Sequence, residues 1–326
     1  MTGLLPAFDV LTPESVAEAV RTRQAFPESR YLGGGTDLVA NLRRGLGEPT
    51  ALIDLTSIGE LREIRIEGDR LRIGAGVTLM ALERDPDVAK HAAVLARAAS
   101  TVAAPAQRSA ATVGGNLCLD TRCVFYNQSD WWRAANGFCL KKKGDICHVA
   151  PTGARCHAAY SGDLAPALMV LGAEVEIAGG RGRRTIALTD LYADDGRAHL
   201  TLAPDELLVA VNLPIAPVAA DYAKARVRGA IDFPLAGVAV ALRRDGGALA
   251  MLRVALTGTA SRPTLLLGTD ELAGHVLDAA ARARLDKLVQ KQVSPMRTTV
   301  TPAHYRRRVA AALAVRLARE LYAAAA

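Results

Sequence analysis

Aromatic side chains make up 4% of the 326 residues, too few to stack a run of bases, so the net charge of +7 does not by itself specify a nucleic-acid partner. The densest basic run, Tyr305-Arg306-Arg307-Arg308, reads as a solvated helix face or a subunit contact. No stretch approaches ~18 uninterrupted apolar residues. The opening MTGLLPAFDVLTPES lacks the basic start, apolar run and small-residue cleavage site of a secretory leader. A cytoplasmic protein that binds neither membrane nor nucleic acid is expected. There is no internal repeat, and only Ala323 to Ala326 read as low complexity. No Ser/His/Asp set or His/Glu ligand motif occurs, so no catalytic residue is assigned and the substrate is expected on another chain. Outside residues 118–156 there is no cysteine at all.

What is present is a chain half hydrophobic, able to bury a large core in two or three domains without disulfides. Thr12-Pro13-Glu14-Ser15 predicts a helix running to about Phe26. Arg30-Tyr31-Leu32, a glycine turn, an apolar helical pattern and Ala51-Leu52-Ile53-Asp54-Leu55 form a βαβ unit. From Glu63 the period changes to two, with a hairpin about Gly68-Asp69, a helix capped by Thr78 and another over Asp87 to Val102. Beyond about residue 175, strands (174–177, 207–213, 235–242, 252–257) precede helices over Thr269 to Val289 and Pro302 to Tyr322. Strands followed by helices suggest a separate α+β unit. The expected division is 1–175, with subdomains of about 1–56 and 57–175, and then 176–326.

Gly33-Gly34-Gly35-Thr36-Asp37 lies between a strand and a helix, where glycines let backbone approach an anionic ligand. It lacks the Lys-Ser/Thr ending of a phosphate loop and the spacing of a Rossmann fingerprint. The string Thr112-Val113-Gly114-Gly115-Asn116 is a second such loop. Together the two point to an extended anion such as a dinucleotide.

Three strings in order, GGGTDL from Gly33, TVGGNLC from Thr112 and GDLAPALMVL from Gly162, resemble the FAD-binding subunits of molybdenum-containing hydroxylases over nearly the whole chain. The resemblance implies an α+β fold: a two-subdomain FAD-binding (PCMH-type) N-terminal domain, then a smaller α+β C-terminal domain. It implies FAD with its pyrophosphate on Gly33, Gly34, Gly35, Thr36 and Asp37 and on Thr112, Gly115 and Asn116. Asp163 matches the aspartate of the third string, and Lys224 a lysine reaching the flavin side. On ordinary grounds Asp163 is a helix N-cap and Lys224 a solvated strand lysine.

The departure from that pattern is an insertion, about residues 119–160, carrying Cys123, Cys139, Cys147 and Cys156, with Cys118 just before it. Four thiolates suit tetrahedral zinc or a [4Fe–4S] cluster, and the spacing matches neither the paired zinc knuckle nor the ferredoxin run. Beside a flavin, an electron relay is of more use than a redox-silent staple. The strings DTRCVFYNQSDWWR, GFCLKKKGDICHV and RCHAAYSGDLAPAL resemble the beta subunits of the 4-hydroxybenzoyl-CoA reductase branch. That resemblance implies a [4Fe–4S] cluster on Cys123, Cys139, Cys147 and Cys156, with Cys118 left over or replacing one of the four. It also implies ferredoxin as donor, partner [2Fe–2S] and molybdenum-cofactor subunits, and a dimer of heterotrimers. Trp131 and Trp132 are expected as the small core of the insert, and Lys141-Lys142-Lys143 as a charge offset, a docking patch or a solvated loop. His148 and His157 are expected near the cluster or at the surface, without ligand roles. The rivals are another molybdenum hydroxylase's flavin subunit, or a zinc-stapled assembly protein with no redox chemistry.

Overall fold

The structure, a computed structural model, describes residues 5–324. Residues 1–4 and 325–326, which take in the start of the segment read for a leader and the end of the alanine run, lie outside it. Three short strands, Asp9–Leu11 (β1), Arg30–Leu32 (β2) and Ala51–Asp54 (β3), pair in parallel in the order β1-β3-β2. The central β3 is the continuous apolar run, as a parallel strand covered on both faces must be. The helix Val16–Ala25 starts later than expected because Ser15, not Thr12, is its cap, Ser15 Oγ accepting from Glu18 N at 3.2 Å.

The second unit is a five-stranded antiparallel sheet made from Ile64–Glu67 (β4), Arg70–Gly74 (β5), Glu174–Gly179 (β6), Gly182–Ala187 (β7) and Leu207–Pro214 (β8), in the order β4-β5-β8-β6-β7. This corrects the boundary expected at residue 175. β8 lies between β5 and β6, with Leu71 opposite Leu213 and Ile73 opposite Val211. Val175, Ile177 and Val211 share one core with Leu71 and Ile73, so the strands after 175 complete the second subdomain rather than open a new one. Between β5 and β6 run helices Leu79–Arg84, Pro86–His91 and Ala93–Ser100. Thr78 Oγ1 caps the first from Ala81 N at 3.1 Å. The single helix expected over Asp87 to Val102 is broken at Ala92, whose φ is −147°. The helix Leu164–Val170 is buried on every side, the outcome for a helix with no polar face.

The last unit starts at Ala219–Ala225 (β9) and continues through Ala236–Asp245 (β10), Ala248–Thr257 (β11) and Thr264–Leu265 (β12), antiparallel in the order β12-β11-β10-β9. Side chains of β10 alternate between faces with the strand period of two. Val238, Val240 and Leu242 meet the helices Ala279–Gln292 and Ala303–Ala324, whereas Ala239 and Ala241 enter the core of the preceding unit. The helix expected from Thr269 to Val289 is a short 3-10 turn, Thr269–Leu272, followed by a helix that begins only where Asp278 caps Ala281 N at 2.8 Å.

Arg306 corrects the reading of its run as solvated. Its side chain is buried and bonds the carbonyls of Leu235 and Met296 and the Thr298 hydroxyl, each at 3.0 Å, and also the Gly258 carbonyl. Arg307 and Arg308 are exposed. Among the described residues no helix is long and apolar enough to cross a membrane.

Candidate functional site

The two glycine loops touch. A Cβ on Gly34 would stand 1.7 Å from the Ala110 carbonyl oxygen, and one on Gly33 would stand 2.9 Å from Thr112 Oγ1. Gly35 has φ +69°, a left-handed turn that a side chain would strain. Thr112 Oγ1 caps the turn Val113–Leu117 by accepting from Gly115 N at 3.1 Å. Gly115 is exposed, as is Thr36. Backbone bare of side chains on two adjoining turns is a surface that an extended anionic ligand can approach closely, so the residues fit the pyrophosphate of FAD.

The third string joins the same place through buried polar contacts. Asn116 Oδ1 accepts from Leu164 N at 3.0 Å. Asp163 precedes the buried helix but makes no side-chain cap bond; it accepts instead from the Tyr222 hydroxyl at 2.5 Å and from Lys224 Nζ at 3.1 Å. Neither ordinary reading of this pair holds, since the Lys224 side chain is 2% exposed and that of Asp163 4%. Burial pushes the Asp163 carboxyl up, against the lowering effect of Lys224 and the Tyr222 hydroxyl. Tyr222, two residues before Lys224 on β9, shares its face by the strand period, a signal that could have found it.

The insert gathers its four cysteines. Cys123, Cys139, Cys147 and Cys156 are all buried and line one small, partly open space, with Phe125, Tyr126, Lys141 and His148 also in its wall. Cys118 stands apart, packed against the main core of the second subdomain, where burial pushes its thiol up to about 12. Burial likewise pushes Cys123 and Cys156 up to about 11. Among the described residues no group of three or more His, Cys, Asp or Glu is set to hold a single metal ion. A mononuclear tetrahedral site with metal–sulfur bonds of about 2.3 Å needs its thiolates within about 3.8 Å of one another, whereas a four-iron cluster spreads its thiolates around a larger core. Four buried cysteines lining one space are the donor set that such a cluster would need.

Lys141 is 5% exposed at its side chain and bonds Asp120 Oδ1 at 2.6 Å, with Nζ 4.3 Å from the centre of the Tyr126 ring. Of the three lysines it alone is placed to offset charge in the cysteine space; Lys143 is exposed. Ala158 N lies 3.4 Å from Cys156 Sγ as a donor. The tryptophans are not the core of the insert. Trp131 is 70% exposed, and the buried set is Leu46, Tyr126, Ala158 and the cysteines. Trp132 is half-buried, its ring 6.3 Å from that of Phe125. His148 engages the Phe138 carbonyl and packs on Phe125 at 5.3 Å between centroids. His157 is partly buried, its pKa lowered by burial and by Arg155.

This combination of a three-strand parallel unit, a five-strand sheet and touching glycine loops defines a flavin-binding subunit of the molybdenum hydroxylase class. Residues 6–216 match the family described as the FAD binding domain in molybdopterin dehydrogenase, and residues 220–321 match the CO dehydrogenase flavoprotein C-terminal domain. The chain belongs to the FAD-binding medium-subunit family of the molybdenum hydroxylases. It is 34% identical over 296 residues to the aldehyde oxidoreductase FAD-binding subunit PaoB of Escherichia coli, covering 87% of this chain and 90% of that one. It is 30% identical to the carbon monoxide dehydrogenase medium chain of Afipia carboxidovorans, covering 93% of each. Among solved structures, the Cu,Mo-CO dehydrogenase in its cyanide-inactivated form superposes with a TM-score of 0.81 at 27% identity over 98% of this chain and 99% of that one. The chain is thus the FAD subunit of an oxidoreductase, and the rival expectation of a non-redox assembly protein is set aside.

Proposed function

We propose that this chain is the flavin and iron–sulfur subunit of a 4-hydroxybenzoyl-CoA reductase. It would accept electrons from a low-potential donor such as ferredoxin and serve partner [2Fe–2S] and molybdenum-cofactor subunits that dehydroxylate 4-hydroxybenzoyl-CoA to benzoyl-CoA. The setting is cytoplasmic and the assembly a dimer of heterotrimers. When bound, a [4Fe–4S] cluster handles single electrons and FAD one or two, which is the chemistry that a link between a one-electron donor and an enzyme requires.

The observation that carries this reading is the convergence of Cys123, Cys139, Cys147 and Cys156 on one space beside the flavin fold. Each would supply a thiolate. The Lys141 ammonium in the wall offsets part of their charge, and the Ala158 N–H donates to Cys156 Sγ. The glycine loops, with Thr112 and Asn116 fixing the second of them, would hold the flavin's phosphates. Lys224, fixed by Asp163 and the Asp232 carbonyl at 3.4 Å, would stand on the flavin side.

A visible spectrum of the anaerobically purified chain, with iron, zinc and released-flavin analysis, tests this. About four irons and one FAD per chain, with a broad band that bleaches on reduction, are expected. Flavin without iron would refute the cluster and leave a second reading. That reading is favoured by the 34% identity to an aldehyde oxidoreductase subunit over most of both chains: a flavin subunit that passes electrons, released as a substrate is oxidised on a partner subunit, to an outside acceptor. In the complex, Cys147→Ser should abolish ferredoxin-driven turnover while dye-coupled reverse activity partly survives.

A further inference from the structure

Arg122 leaves the insert and reaches the first glycine loop. Its Nη2 pairs with Asp37 Oδ1, and its Nη1 donates to Asn41 Oδ1 at 2.9 Å. Asn41 Nδ2 in turn donates to Asp37 Oδ2 at 3.0 Å. The guanidinium carbon lies 4.7 Å from the centre of the Phe233 ring, so a residue of the C-terminal unit packs on the guanidinium. The backbone of Arg122 is fixed by reciprocal 2.7 Å bonds with Ala159, an isolated bridge to the returning end of the insert between Cys156 and Tyr160. Its Nε is buried without a partner, and the side chain is 12% exposed.

The chemistry of the loop makes this contact consequential. Asp37 places a carboxylate in the turn that would receive an anionic pyrophosphate, and two like charges in a partly buried turn repel each other. Neutralising Asp37 requires a cation held nearby, and the cation present is borne by the residue directly before Cys123.

We propose that Arg122 makes FAD retention depend on the cysteine insert, by cancelling the charge of Asp37 at the first glycine loop from a position fixed by the insert's own backbone pairing. This rests on the FAD reading above and adds to it: besides bearing the cysteines, the insert is a strut of the flavin site. Arg122 is a positioning residue. By linkage, whatever orders the insert tightens FAD, and FAD in turn orders the insert.

The test is equilibrium FAD binding to the full, anaerobically purified chain, followed by flavin fluorescence and ultrafiltration, with iron measured in parallel. Arg122→Gln should weaken FAD about tenfold or more with iron content unchanged. When Asp37 is already Asn, the loss caused by Arg122→Gln should fall below about threefold, because the charge to be cancelled is gone. Arg122→Lys, which keeps the charge but not the planar fork, should lose less than the glutamine variant and stands in for it if that variant folds poorly. FAD should also slow proteolysis within residues 119–160 in the wild type and not in the glutamine variant. Wild-type affinity in Arg122→Gln, or an equal loss in the Asp37→Asn background, overturns the proposal while leaving the FAD reading intact. A wild-type chain that takes no FAD overturns both.

Discussion

Replacing Lys224 by Met isolates the energetic role of the buried pair behind the flavin motif. The substitution keeps the length of the side chain and removes the ammonium that lies 3.1 Å from Asp163 Oδ2. Asp163 is then a nearly inaccessible carboxylate with the Tyr222 hydroxyl as its remaining side-chain donor. Removing one partner of a buried pair costs about 3–5 kcal/mol, because the other charge is left uncompensated. Thermal and urea unfolding followed by circular dichroism should show a loss of that order at neutral pH. The double variant Lys224→Met with Asp163→Asn should recover at least half of it. The sign of the pH dependence is also set. A carboxyl whose folded pKa is raised contributes stability that is present below its unfolded pKa and lost as pH rises through the folded pKa. Burial already raises Asp163 in the wild type, and loss of Lys224 raises it further, so the deficit of the variant should shrink as pH is lowered from neutrality. A loss under about 1 kcal/mol, or a deficit that does not change with pH, would refute this account of the pair.

Gly34→Ala should lower FAD retention more than tenfold, read by flavin released from the purified chain, because its Cβ would fall on the Ala110 carbonyl and force the two loops apart. Cys118→Ser should leave the iron content as in wild type while Cys139→Ser reduces it, since Cys139 lines the cysteine space and Cys118 packs elsewhere; metal analysis decides, and equal losses would reject the assignment. Arg306→Met should cost about 3 kcal/mol or more in urea unfolding, because it strips the donors from three carbonyls and a buried hydroxyl. A loss within experimental error would mean that water replaces the guanidinium.

What could be read from the chain was local or carried by motifs. The βαβ unit, the hairpin at Gly68-Asp69 and the Thr78 cap depend on neighbours a few residues apart, and all three are present. The contact between the glycine loops is long-range, and the resemblance of the three strings went only as far as setting one pyrophosphate on both. The unit boundary was misplaced because β8 is joined to β5 across more than a hundred residues, and strand pairing of that range leaves no mark in local periodicity. Arg306 was misread because a basic run gives no sign of which residue turns inward. Trp131 was misread for the opposite reason: apolar character suggested burial, but in a segment this short the cysteines and Tyr126 already fill the interior. Arg122 went unremarked because its meaning lies in Asp37, on a loop distant in sequence, and in Phe233, from another unit.

The two faces of β10 bear on how such a chain could be cut. Residues 220–321 match a family model of their own, which invites expression of that segment as a module. Yet Ala239, Ala241 and Ala255 are core residues of the unit before it. Freed from that unit, the segment would present a flat sheet of small apolar side chains to water, a surface prone to self-association. The boundary between the two matched segments is therefore also a packed interface, and a soluble fragment would need polar residues at those three alanines.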